Sequence, residues 1–343
     1  MSYLAATVLA SYVGRYAEQK ADLHEHRKSR FGALETFQND TPNIVRADII
    51  AAAKQAGSHA TSIPVIATKD YSITTTRSCT MITNANTSAL VSVSFSTVRA
   101  GFHMIPSQYG NNYVGYEDDF KRKMEDLQLA ILKNLDSACL TKLNAVKSAK
   151  NDADGNPYTV VSNVMEIPNA NANECFNELE AVMAANDLYA PFNVVATPRV
   201  NALLNHLIAQ KEQNAVNYAY QFAGMEFRYT NRLSLSGTDY RDLLYIMPKG
   251  SCGIIFWTEP DARMNAVAGS KKWYEMELPL IGEKAAILYD EACADNSTEA
   301  GAGFEASKAE YFTVSFDYAL ITAYNSDTVN LPGAIFKAGI LKA

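Results

Sequence analysis

The chain has 343 residues, 48% of them hydrophobic and 20% charged, with a formal net charge of −7 and a pI near 5.4. That length fits two ordinary domains or one large irregular one, with enough apolar residues for a sizeable core and too many for a disordered chain. The acidic balance argues against a protein that grips nucleic-acid backbones, because such binders concentrate Lys and Arg; only loose confinement of nucleic acid stays open.

In chain order, Leu4, Val8, Tyr12 and Tyr16 stand at helical spacing and a charged run follows over 22–30. This predicts a short peripheral helix, with Arg27, Lys28 and Arg30 solvated at its end. A second helix is expected from Thr41 as cap and Pro42 as first helical residue, stopped by Gly57. Its apolar face is Ile44, Val45, Ile49, Ile50 and Ala53. Over 62–106 the period changes. SITTTRSCTMIT and SALVSVSFSTV are rich in β-branched and small polar residues, Val91, Val93 and Phe95 alternate, and Asn84 to Thr87 supply a turn. The prediction is a long two-stranded hairpin with neither face deeply buried in its own chain. Such a ribbon is marginal alone in water and needs something to lie on.

The strongest helix covers 117–149, where Phe120, Met124, Leu127, Ile131, Leu135, Ala138 and Leu143 form one stripe. Glu117, Asp118 and Asp119 favour its start, and Lys147 and Lys150 its end. With no Pro or Gly inside, it reaches roughly 50 Å at ~1.5 Å per residue, far beyond the usual helix length. NDADGNP over 151–157 ends it as an Asp-Gly turn. That segment lacks the acidic residue a calcium loop needs, since Asn163 stands at the twelfth position.

From 167 to 290 helices and strands alternate. A helix over 173–185 turns Phe176, Leu179, Val182 and Met183 inward. A strand over 192–196 leads to a helix opened by Thr197 and Pro198, with Val200, Leu203, Leu204, Leu207 and Ile208 as its core face. Short strands are expected over 225–230, 243–247, 253–257 and 285–289. The stretch 297–303 reads as a connector. Phe312, Val314, Phe316, Tyr318 and Leu320 then alternate with small and polar residues as a long half-buried strand, followed by a tail with few signals.

Chemistry is sparse. GxSxG, P-loop, GxGxxG and HExxH patterns are absent. His24 and His26 diverge around a helix, and His206 reads as packed or half-exposed. Cys79, Cys139, Cys175, Cys252 and Cys293 are scattered without a CxxC pair, which fits buried thiols in a reducing compartment. The apolar run near the start lacks a preceding positive charge, and nowhere do ~18 apolar residues run uninterrupted. The expectation is therefore no enzyme, no catalytic, cofactor-binding or metal site, no cofactor and no membrane partner. The tyrosines Tyr218, Tyr220, Tyr229, Tyr240 and Tyr245 crowd one stretch, as core or as interface.

The order of parts resembles the tailed-bacteriophage major capsid proteins of the Hong Kong 97-type fold. TSIPVIATKDYSITTTRSCTMI looks like the rising strand of that family's extended loop. GYEDDFKRKMEDLQLAILKNLD looks like the start of its spine helix, and APFNVVATPRVNALLNHLIAQ like the strand-and-helix unit of its axial domain. The likeness spans nearly the whole chain and is architectural, without an invariant signature.

The resemblance implies an α+β chain divided into an N-terminal arm (1–58), an extended β-hairpin loop (59–105), a peripheral domain with the long spine helix (106–166 and 300–343) and an axial domain (167–299). It implies self-assembly through pentamers and hexamers into the icosahedral shell around a phage double-stranded DNA genome, in the virion capsid, after assembly in the bacterial host cytoplasm. The implied partners are further copies of the chain, with portal, scaffolding and decoration proteins as additional candidates and loose, non-specific contact with packaged DNA. An encapsulin-like nanocompartment subunit is the alternative. Lys69 is the sole loop lysine that could serve a crosslink, and a solvated lysine is the expectation; the short arm favours a separate scaffold or none. Gly101 and 297–303 are the expected hinges.

Overall fold

The computed structural model describes residues 31–59, 62–65, 73, 75–77, 79, 89–109, 113–148, 158–173, 175–186, 188–204, 224–235, 237–294, 307–322 and 333–343. The expected helix over 3–30, the hairpin tip, the 151–157 turn, the connector at 297–303, Leu207 and Ile208 all lie outside the described residues.

Helix α1 (Gly32–Ile44) is followed by α2 (Ala47–Gln55). Here the expected start is corrected, because Thr41 and Pro42 lie in the last turn of α1 and Arg46 caps α2. Thr41 instead joins its own helix to the strand Cys252–Trp257. Its hydroxyl donates to the Phe37 carbonyl (2.6 Å) and accepts from the Ile254 amide (2.9 Å). Pro42 forfeits one helical bond, and α1 stops two residues later. Of the expected apolar face only Ile49, Ile50 and Ala53 fall on α2, since Ile44 ends α1 and Val45 lies between the helices; all five still meet in one cluster, with Val45 and Ala53 buried beside Ile255 and Ile321.

Strands β1 (Ser62–Val65) and β2 (Ala89–Ser92) form a two-stranded antiparallel ribbon. Strand β3 (Ser96–Met104) then enters the body, and helix α3 (Tyr113–Val146) follows with 34 residues, about 50 Å long. Its start, four residues earlier than expected, moves Glu117 to Asp119 out of the first turn. Phe120, Met124, Leu127, Ile131, Leu135 and Leu143 are buried as the stripe predicts, joined by Tyr116 and Cys139. Ala138 is only half-buried.

The strands β4 (Thr159–Val161), β5 (Val164–Ile167), β6 (Phe192–Ala196), β7 (Met225–Tyr229), β8 (Tyr240–Pro248), β9 (Cys252–Trp257), β10 (Val267–Ala268), β11 (Lys271–Leu278), β12 (Glu283–Ala294), β13 (Ser307–Thr322) and β14 (Phe336–Leu341) complete two six-stranded sheets. Helix α4 (Cys175–Ala185) lies between β5 and β6 in the chain, and a single helical turn, α5 (Pro260–Arg263), between β9 and β10.

The first sheet runs β10-β11-β12-β13-β3, with β9 also on β13. Asp317 is opposite both Thr97 of β3 and Trp257 of β9, so these strands flank β13 on opposite edges. Phe312, Val314, Phe316 and Tyr318 point into the core with α3; Phe120 meets Phe312 edge-on at 5.0 Å. The second sheet runs β4-β5-β14-β8-β6-β7, parallel at β5/β14 and β6/β7. Val194, Ala196, Leu244 and Ile246 face α4, whose Phe176, Leu179, Val182 and Met183 are buried there. The alternate residues Val195, Tyr245 and Met247 face the core shared with α1 and α3. This alternation is the period-2 logic of a strand buried on both faces.

The sheets cut across the expected domain ranges. Strands β9 to β12 join β13 in the first sheet, while β14 joins the second beside β5 and β8. Gly101, an expected hinge, sits inside β3 opposite Thr313. A Cβ there would lie 2.8 Å from the Phe312 carbonyl oxygen, so glycine serves close strand approach rather than bending.

Candidate assembly interface: ribbon, root and spine

The ribbon pairs Ser62 with Ser92, Ile63 with Val91, Pro64 with Leu90 and Val65 with Ala89, and its two strands join no other sheet among the described residues. Every side chain described between Ser62 and Ser92 is exposed: Ser62, Ile73, Thr75, Thr76, Arg77, Cys79 and Ser92. Ile73 is 89% exposed, so an apolar side chain stands fully in water. A ribbon of only two strands is marginal alone, and its edges are a template for pairing.

The root of the ribbon is different. Val93 and Phe95 pack on the Val45, Ala53, Ile255 and Ile321 cluster. His59 stacks on Phe95 with ring centroids 4.6 Å apart and meets Trp257 edge-on at 4.4 Å. Its Nε2 lies 2.6 Å from Asp317 Oδ2. Nearby, burial and the carboxylates of Asp261 and Asp317 push the Glu259 carboxyl up, against the pull of Arg99.

The spine α3 runs from one sheet to the other. Near its start the Tyr116 hydroxyl donates to buried Glu310 of β13, and the Tyr109 hydroxyl donates to Asp119. Burial raises the Tyr109 hydroxyl, and the Asp119 bond adds to that. Burial also lifts Asp119, but the bonds from Tyr109 and Lys123 outweigh it and leave that carboxyl low. The Tyr289 hydroxyl, raised chiefly by burial, lies 2.6 Å from Glu291 and 3.2 Å from Glu310. Midway, Asp136 is fully buried. It accepts the amides of Ala33 and Leu34 at 3.0 Å each, and the Thr230 hydroxyl. One carboxylate thus caps α1 and ties it and the end of β7 to the spine. Desolvation raises this carboxyl despite those bonds. At the far end, Tyr245 donates to Asn144 (3.2 Å) and Ser148 bridges Phe336.

Asp40, buried in α1, accepts the amides of Gly250 (2.7 Å) and Ser251 (2.9 Å) and so holds the β8–β9 turn. A cavity of about 420 Å³ opens between α1, α2 and β9, with the Lys54–Glu283 ion pair (2.7 Å) in its wall.

His24, His26, His206, Lys69, Tyr218 and Tyr220 lie outside the described residues. His103 lies beside Tyr311, 5.8 Å between rings. Cys139 and Cys252 are buried, and burial pushes both thiols up. Cys79 departs from the expected pattern, being exposed on the ribbon. Among the described residues no group of three His, Cys, Asp or Glu is placed to hold a metal, and no helix is long and apolar enough to cross a membrane. Sequence reasoning missed the His59–Asp317 root, Asp136 and Asp40. For Asp136 a signal existed: a carboxylate set beside Leu135 on the apolar stripe.

No protein-family model matches the chain, and no curated protein matches it. Among solved structures it is similar to one from Mycobacterium phage Bobi, with a TM-score of 0.44 and 13% identity over 86% of this chain and 90% of that one. It is similar to the holo-SrpI encapsulin complex from Synechococcus elongatus PCC 7942, with a TM-score of 0.37 and 10% identity over 71% and 73%. It is also similar to the capsid of Myoviridae phage XM1, with a TM-score of 0.43 and 14% identity over 87% of this chain and 90% of that one.

Proposed function

We propose that this chain is the major capsid protein of a tailed bacteriophage, a non-enzymatic subunit that assembles through pentamers and hexamers into an icosahedral shell around double-stranded DNA. The observation that carries this reading is the ribbon, whose described side chains are all exposed while its root is packed into the body. Laid on a neighbouring copy, such a ribbon gains the burial it lacks alone. Repetition around closed symmetry lets modest contacts, roughly 1,200–2,000 Å² each, stabilise a shell without exceptional affinity at any one.

In this proposal the parts follow one another as arm (1–58), extended loop (59–105), peripheral domain (106–166 and 300–343) and axial domain (167–299). The subunit works in the virion capsid after assembly in the host cytoplasm, meets portal, scaffolding and decoration proteins, and touches the packaged DNA loosely. Negative-stain microscopy of the expressed chain tests this. Closed icosahedral particles are the expected result; a monomer at every concentration, or tubes, would overturn it. Shells purified with an enclosed enzyme would favour the nanocompartment alternative.

A further inference from the structure

We infer that His59, Phe95, Trp257 and Asp317 form a latch that fixes the direction in which the ribbon leaves the body. The latch deepens the capsid reading, since that direction decides where on a neighbour the ribbon lands.

The register carries the inference. The ladder that pairs Val65 with Ala89 ends at Ser62 and Ser92, and His59 and Phe95 each lie three residues nearer the body along the two legs. Those two rings stack at 4.6 Å and 12°. On the body side, Trp257 of β9 and Asp317 of β13 are themselves directly opposite in the first sheet. The latch is therefore a stacked ring pair, one ring from each leg of the ribbon, seated on a cross-strand pair of the first sheet.

Each member of the ribbon pair is held. The His59 ring contacts Trp257 edge-on at 4.4 Å, and its Nε2 lies 2.6 Å from Asp317. Phe95 packs on the cluster of Val45, Ala53, Ile255 and Ile321. The approach to His59 is fastened too. The Ala56 carbonyl accepts from Trp257 Nε1 (2.9 Å) and from the Arg263 guanidinium (3.0 Å), which also lies over the Trp257 ring. Both legs are thus clamped where they enter the body, whereas every described side chain from Ser62 to Ser92 is exposed. The direction of the ribbon is thereby set by two strands of the first sheet.

Hydrogen exchange on the unassembled subunit tests the latch without needing shells, so a failure to form particles would sink the capsid reading and leave the latch standing. His59→Ala and Phe95→Ala should each speed exchange over 62–65 and 89–93 by about tenfold, the loss of roughly one packed aromatic pair, while 113–146 exchanges as before. Ser94→Ala, an exposed neighbour, should leave both regions unchanged. Folded His59→Ala and Phe95→Ala subunits whose ribbon exchanges at the unaltered rate would overturn the proposal. Should neither variant fold, the unaltered subunit decides: residues 56–59 and 94–95 exchanging as slowly as β9 support the latch, and exchange as fast as around Ile73 overturns it.

Discussion

The spine and the ribbon are held by opposite means. The spine buries Phe120, Met124, Leu135, Cys139 and Leu143 and fastens both sheets through Glu310, Asp136 and Asn144. The ribbon buries none of its described side chains beyond its root. Under the proposed function, free energy of folding and free energy of assembly are carried by different segments, and each can be broken without the other.

The largest effect should come from replacing 66–88 with a short turn between β1 and β2. Shell formation, read by sedimentation, is expected to vanish, while the melting temperature of the free subunit moves by no more than about 2 °C. A subunit that unfolded on losing the ribbon would erase the contrast. Next, Leu135→Ala should cost about 2–5 kcal/mol in denaturant unfolding, because it opens a cavity at a side chain with no exposed surface. A cost near zero would mean that the spine is not the support described.

Asp136→Asn sharpens the comparison through pH. Burial holds the Asp136 carboxyl above its ordinary value, so the folded state binds that proton more tightly than the unfolded chain does. Stability from this group is fully present below the unfolded carboxylate value and is lost as pH rises through the raised folded value. Relative to Asp136→Asn, the unaltered protein should therefore gain stability as pH falls through the acid range. Urea midpoints at several pH values check the sign, and a gain with rising pH would contradict it. The smallest effect on the subunit is that of Ile73→Ser, within about 0.5 kcal/mol, since the side chain is already in water. Particle yield should nevertheless fall, read by light scattering.

The elements legible in the sequence are those whose burial repeats at a fixed period. The α3 stripe, the alternation from Phe312 to Tyr318, the inward face of α4 and β6 all stand where their spacing puts them. Strand β11 was hidden because its sequence, KKWYEMEL, mixes charges with aromatics: Lys284 bonds Glu275 on one face while Met276 and Leu278 are buried on the other. Strand β14 was hidden by Lys337 and Gly339, residues that weaken a strand pattern although Phe336, Ala338 and Ile340 are fully buried. Helix α1 was hidden behind Pro42, which reads as a beginning and lies near an end. The root of the ribbon joins residues 258 apart in the chain, and no local pattern in a single sequence encodes such a meeting.

Strand β14 has a consequence for biosynthesis. It lies inside the second sheet between β5 and β8, though it follows both in the chain. Until the ribosome has passed Leu341, those two strands keep raw edges that invite pairing with any other polypeptide. A translation product stalled upstream is therefore a substrate for chaperones and proteases.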